Sequence, residues 1–249
     1  MTLLHTEPTH IEFPDKEVPY LKREEVMGTF NRILWESYSD TELSLRDYAR
    51  ELPKWRGHLC LKLPTDLWIY QELIYKTQPD VIIECGVARG GSTLFLADMC
   101  EIMNRGLIIA IDKIIAAGLP SHNRIFYLET DDVGEKVHEL LAELRTKGVG
   151  QTGKGKNCLR VMVILDSDHA YEHVKEQLRI YSDYVSLGCY LIVEDGNCLG
   201  HESAKDSCEG PMRAVIEFIE HDDRFVIDPD CERFLLTYNP RGYLKKVKW

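Results

Sequence analysis

Four short apolar runs in the middle of the chain each end on a carboxylate, and the stretches between them carry helical spacing. The runs are Val81-Ile82-Ile83 before Glu84, Leu107 to Ile111 before Asp112, Val161 to Leu165 before Asp166, and Cys189 to Val193 before Glu194 and Asp195. Runs this short, rich in β-branched residues, fit strands buried on both faces. A further strand is expected over Arg124 to Leu128, and helices over Asp66 to Lys76, Ser92 to Met99, Val133 to Lys147, Tyr171 to Val185 and Gly210 to Glu220. Strand and helix alternating in this way mark a doubly wound, Rossmann-like α/β sheet. The last two expected strands, Phe225 to Asp228 and Phe234 to Asn239, are joined only by Pro229 to Arg233. A link so short makes them antiparallel, because a parallel crossover needs about a dozen residues or more. The expectation is a seven-stranded sheet, mostly parallel, with a C-terminal antiparallel hairpin.

What precedes this pattern is different in kind. Residues 1 to about 20 are polar and broken by Pro8, Pro14 and Pro19, as in an extended arm, and residues 22 to 50 carry apolar positions at helical spacing. Pro53 to Pro64 reads as a loop, and Thr65 or Asp66 is placed to cap the helix that follows. The chain therefore divides into 1–64, an arm and helical segment suited to a lid or to oligomerisation, and 65–249, the sheet domain.

Bulk properties exclude several classes. With 41 acidic against 30 basic residues and a net charge of −11, the chain lacks the basic footprint of a nucleic-acid partner. None of the eight cysteines forms a CxxC pair, and Cys85, Cys158 and Cys189 sit in or beside the strand-like runs, where a thiol is a small hydrophobe. A zinc site or disulfide framework is not expected. The start has neither a basic n-region nor an apolar h-region, and no run approaches the roughly 20 apolar residues of a membrane helix. The chain reads as cytoplasmic.

The first strand gives way to Glu84-Cys85-Gly86-Val87-Ala88-Arg89-Gly90-Gly91-Ser92, a glycine-rich loop opening a helix. Such a loop lets a ligand approach the backbone and offers it unpaired helix N–H groups. The bland alternative is a tight turn without a ligand. Three residues separate Gly86 from Gly90, which breaks the G-x-G spacing of a dinucleotide fingerprint. Glu84, directly before the loop, suits an amino-acid ammonium better than a pyrophosphate. Asp112, at the end of the next strand, suits the two hydroxyls of a ribose. This combination fits S-adenosylmethionine (SAM) better than NAD, with Glu84, Gly86, Gly90, Gly91, Ser92, Asp112 and Asp131 as candidate cofactor residues.

Asp166, Glu194 and Asp195 end two strands expected to be neighbours, and neighbouring strand ends lie about 5 Å apart. Several carboxylates do not share such a volume fully ionised without a cation between them. An all-oxygen set suits Mg²⁺, Mn²⁺ or Ca²⁺. The competing reading is helix caps and solvated loop acids, which suits Asp168. His169, three residues past Asp166, would face the same cavity, where an imidazole can serve as a general base; the bland alternative is a helix-capping or surface histidine.

Four segments together resemble the cephalosporin-hydroxylase-type family, a branch of class I SAM-dependent methyltransferases that also contains rhamnosyl O-methyltransferases. They are Asp66-Leu67-Trp68-Ile69-Tyr70-Gln71-Glu72; Gln78 to Glu84 with its Gly-Gly-Ser ending at Ser92; Leu165-Asp166-Ser167-Asp168-His169; and Tyr190 to Asp195. The resemblance runs from about residue 52 to the C-terminus. It implies a SAM fold ending in an antiparallel hairpin, with a divalent metal on Asp166, Glu194 and Asp195. Similar catechol-type enzymes carry a lysine base three residues after the first metal aspartate; here that position is His169. Cys85 also departs from the usual small or hydroxyl residue. The sequence has no clear two-histidine, one-carboxylate iron set, so methyl transfer rather than oxygenation is implied. The expected activity is Mg²⁺-dependent O-methylation of a sugar, a glycosylated natural product or another polyhydroxylated small molecule by a homo-oligomer. In the proposed site Asp166 and His169 are the catalytic pair. The loop Asn197 to Glu209 is expected to wall the acceptor site. The rivals are a nicotinamide-dependent oxidoreductase and a non-catalytic nucleotide-binding scaffold.

Overall fold

The computed structural model describes residues 53–130, 135–147, 149, 159–197 and 210–249. The expected helices within 22–50, Asp131, and all of the 197–209 loop except Asn197 lie outside the described residues.

Nine strands and five α-helices are described. A small antiparallel hairpin, β1 (Lys54–Trp55) and β2 (His58–Leu59), leads into helix α1 (Pro64–Thr77). Then come β3 (Val81–Cys85), α2 (Gly91–Ile102), β4 (Leu107–Asp112), β5 (Ile125–Glu129), α3 (Glu135–Thr146), β6 (Val161–Leu165), α4 (Tyr171–Tyr181), β7 (Tyr190–Val193), α5 (Pro211–His221), β8 (Phe225–Ile227) and β9 (Tyr243–Lys246). The main sheet has seven strands in the order β5-β4-β3-β6-β7-β9-β8. The first five are parallel; β9 runs antiparallel between β7 and β8. The order reverses between β3 and β6, and ligands of open α/β sheets bind beyond the strand carboxyl ends at such a point.

Alternation along each strand builds the two core layers. Val81, Ile83 and Cys85 of β3, with Val161, Val163 and Leu165 of β6, pack on α3, α4 and α5. Ile82 and its counterparts Met162 and Ile164 pack on α1 and α2. Both faces are covered, which is why these strands read as continuous apolar runs.

Three expectations are corrected. Phe234 to Asn239 is not a strand: Pro229–Glu232 is a 3₁₀ turn, and the closing strand is β9. Leu235 and Arg241 take positive φ values of 67° and 59°, which no strand tolerates. Thr237 and the Tyr238 amide donate to Asp66, holding this segment on α1. Pro53 to Pro64 contains the β1–β2 hairpin rather than a loop throughout; the Trp55 ring meets Phe95 edge-on at 4.9 Å and its Nε1–H donates to Asp98 Oδ2 at 2.7 Å. Neither Thr65 nor Asp66 caps α1. Leu63 occupies that position ahead of Pro64, whose missing N–H costs nothing there.

Candidate active site

The glycine loop follows β3 at the switch point. Gly86 has φ +95°, and a Cβ there would collide with the Asp166 carbonyl, so β3 and the end of β6 approach closely only with glycine. Gly90 has φ +75° and would press a Cβ into Pro120, while Gly91 lies against the Leu59 backbone. Gly90 and Gly91 are thus explained by packing inside the protein. Gly86, besides its close approach to Asp166, lines a cleft of about 350 Å³ with Ala88, Asp112, Thr130, Asp166 and Ser167. That volume lies within the roughly 300–1,000 Å³ usual for small-molecule sites. A larger groove of about 630 Å³ lies between α4 and α5, bordered by Lys175, Arg179, Glu217 and Arg224, away from the strand ends.

Asp112 ends β4 at the edge of this cleft. Its Oδ2 accepts from the Val87 amide at 2.9 Å, which ties the loop to the neighbouring strand. Glu84 is fully buried and does not line the cleft. Thr93 donates to its Oε2, while Oε1 has no hydrogen-bond partner. Burial pushes the Glu84 carboxyl up to about 7, against the pull of the Ser92 and Thr93 hydroxyls. Ser92 is itself buried beneath the loop.

The acid cluster lies beside the cleft. One donor atom from each of Asp166, His169 and Asp195 falls within 4.8 Å of the others, and His169 Nε2 is 3.2 Å from Asp195 Oδ2. Asp195 sits at φ +54°, a left-handed position that aspartate tolerates better than most residues. Its amide donates to Asn239 Oδ1 at 3.2 Å, which pins that turn. Burial, and then the Asp166 charge, push the Asp195 carboxyl above the ordinary range, with His169 pulling it back.

Glu194 behaves differently from the sequence expectation. It is 1% exposed, and both oxygens have donors: Tyr70 Oη reaches Oε1 at 2.6 Å and Lys62 Nζ reaches Oε2 at 2.7 Å. Lys62, 3% exposed, also ion-pairs with Asp166 Oδ2. The cation that the crowded carboxylates demand is therefore supplied, in this structure, by a lysine. Burial works against the ammonium, but Asp166, Glu194 and Asp195 together hold it charged, well above the ordinary lysine range. Behind it runs a buried network: Asn239 Nδ2 donates to Tyr70 Oη at 3.1 Å, and Tyr243 Oη donates to Asp66 Oδ1 at 2.8 Å.

The structure thus brings Asp166, His169 and Asp195 together, sets Glu194 one layer behind them, and puts Gly86 and Asp112 on the adjoining cleft. Sequence reasoning missed Lys62, Tyr70 and Asn239. The available signal for Tyr70 was its place four residues after Asp66, on the same face of α1.

A family model described as rhamnosyl O-methyltransferase/CmcI matches residues 47–247. A rhamnosyl O-methyltransferase of Mycobacterium tuberculosis is 30% identical over 197 residues, covering 76% of this chain and 76% of that protein. Its counterpart in Mycobacterium leprae is 29% identical over 196 residues, covering 76% of this chain and 81% of that protein. Among solved structures, CmcI with Mg-SAM is similar with a TM-score of 0.58 at 19% identity, covering 85% of this chain and 84% of that one. The likeness to CmcI is one of fold, and its antiparallel-ended sheet is the one described above.

Proposed function

The chain belongs to the rhamnosyl O-methyltransferase/CmcI family, and from that premise we propose that it is a SAM-dependent, divalent-metal-assisted O-methyltransferase acting on a hydroxyl of a sugar or sugar-bearing small molecule. The observation that carries this reading is the meeting of Asp166, His169 and Asp195 beside the Gly86–Asp112 cleft. The curated relatives are rhamnosyl O-methyltransferases, which is what favours a sugar acceptor.

The donor sets fit both groups. Asp112 lines the cleft with its Oδ2 held by the Val87 and Ala88 amides, and behind the cleft wall the unpartnered Glu84 Oε1 is a buried acceptor in need of a cationic or N–H donor. Asp112 would take ribose hydroxyls, and Glu84, buried behind the cleft as the chain stands, would take the ammonium of a methionine moiety once the glycine loop opens to its Oε1. The two partly exposed carboxylates of this cluster, Asp166 and Asp195, suit a hard divalent ion, and leave the His169 imidazole free of it. Asp166 and Asp195 would hold Mg²⁺, with Glu194 joining once its Oε2 is free of Lys62. When bound, SAM supplies the methyl group and Mg²⁺ supplies positive charge that lowers the acceptor hydroxyl's pKa.

The remaining chemistry belongs to the chain. With Nε2–H donated to Asp195, the His169 ring is left with Nδ1 as the atom that accepts the hydroxyl proton. Asn239 and the left-handed turn at Asp195 fix the carboxylate that orients that ring. Holding acceptor oxygen and methyl donor in line supplies much of the acceleration. No helix among the described residues is long and apolar enough to cross a membrane. The test is a mass-spectrometric screen of rhamnosides and other polyhydroxylated compounds with SAM and Mg²⁺. Gain of one methylene mass, lost in excess EDTA and restored by Mg²⁺, is expected. Full activity in EDTA would remove the metal from the reading, and absence of transfer to any sugar would remove the acceptor class.

A further inference from the structure

Lys62 is the charged residue the proposed reaction does not use, and its position is unusual. Its ammonium lies inside the cluster of acids, 2.7 Å from Glu194 Oε2 and ion-paired with Asp166 Oδ2. It is 3% exposed and arrives from the short stretch between the β1–β2 hairpin and α1. That stretch is anchored on both sides: the Cys60 amide donates to the Pro53 carbonyl at 2.8 Å, and the Leu67 amide to the Leu63 carbonyl at 3.0 Å. A buried lysine with such anchors is held in place rather than swinging in from solvent. Of the carboxylates proposed for the metal, Asp166 gives Lys62 one oxygen and Glu194 has both of its oxygens engaged, by Lys62 and Tyr70.

We propose that Lys62 is a positioning residue that acts as a built-in counter-ion, competing with the divalent cation for Asp166 and Glu194. The site is thereby charge-compensated and folded before metal arrives. Metal loading requires the ammonium to surrender Glu194 Oε2, so the ion is bound more weakly than three converging carboxylates would otherwise bind it. This inference rests on the metal-assisted reading above, but it concerns an equilibrium rather than turnover.

The experiment measures Mn²⁺ binding by isothermal titration calorimetry to the full chain and to K62Q and K62R, without acceptor. Removing the charge in K62Q is expected to tighten Mn²⁺ binding by on the order of tenfold or more, the scale of one unit charge removed from a few ångströms away in a partly screened site. K62R, which keeps the charge, stays near wild type. Unchanged or weaker binding in K62Q overturns the inference while leaving the metal reading intact. Absence of Mn²⁺ binding in every form overturns both. Should K62Q fail to fold, the wild type still decides the matter. The ammonium resonance of the buried Lys62, followed by ¹⁵N NMR, is expected to shift or vanish on saturation with Mg²⁺. A signal that stays in place at saturation overturns the competition.

Discussion

Glu84→Gln separates the cost of a buried carboxyl from its use. Glu84 is fully buried, and its Oε1 lacks a donor. Burial lifts its pKa from the ordinary 4.5 to about 7. A folded-state pKa raised above the unfolded one means that the folded chain holds the proton more tightly. The stabilisation this brings is fully present below about pH 4.5 and is lost as pH rises through about 7. The gap of 7 − 4.5, at about 1.4 kcal/mol per pH unit, makes the full loss about 3.5 kcal/mol. Glutamine keeps the shape and the Thr93 contact but cannot ionise. Denaturant unfolding of both proteins from pH 5 to 8 should show the wild type losing about 2.5 kcal/mol more than the variant across that range, the rest having been lost below pH 5. Parallel pH curves would refute the argument, since Asp195 and the other acids are common to both chains. The same carboxyl gives the cofactor reading its own check. If an ammonium meets Oε1, only the ionised form binds it, so S-adenosylhomocysteine affinity should weaken about tenfold per pH unit below 7 in the wild type. A flat affinity there, with the stability difference intact, would leave Glu84 a structural acid and remove it from the cofactor site.

Three further substitutions probe the neighbouring parts. His169→Ala should lower turnover by about 10²–10⁴ with S-adenosylhomocysteine affinity unchanged, and an unaltered kcat would rule out the ring as base. Asp112→Ala should weaken S-adenosylhomocysteine by about 1.5–3 kcal/mol if its carboxylate holds the ribose, read by calorimetry; equal affinity would limit Asp112 to its contact with the Val87 amide. Gly86→Ala should cost roughly 2 kcal/mol or more, since the new methyl meets the Asp166 carbonyl at a left-handed φ, and a thermal midpoint like wild type's would contradict that geometry.

What the sequence made legible follows from how far apart the cooperating residues are. Strands β3, β4, β6 and β7 announce themselves because burial on both faces forces apolar runs, and their ends are marked by acids. Asp166 and Asp195 could be paired on paper because β6 and β7 are neighbours, joined in the register Leu165↔Val193. His169 followed from Asp166 within a few residues. The glycine loop was legible as a loop, but the reason for each glycine was not. Gly90 and Gly91 answer to Pro120 and Leu59, contacts that only the packed chain defines.

Lys62 was illegible for the same reason in stronger form. It stands 104 residues before Asp166, in a stretch bounded by Pro53 and Pro64 that carries no periodicity. Nothing local distinguishes it from a solvated lysine, the usual state of that residue. Asn239 was hidden likewise, inside an apolar-looking run that the hydrogen bonds to Asp66 pull out of the sheet. Yet the physical need for Lys62 was already present in the sequence. Three carboxylates brought to adjoining strand ends demand a cation. That demand alone does not say whether the cation is bound from solution or carried by the chain. A folded site of this kind satisfies it internally first, and an added ion must then be bound in exchange for a contact already made. On the proposed reading, metal affinity at such a site depends on Lys62 as well as on the carboxylates that would hold the ion.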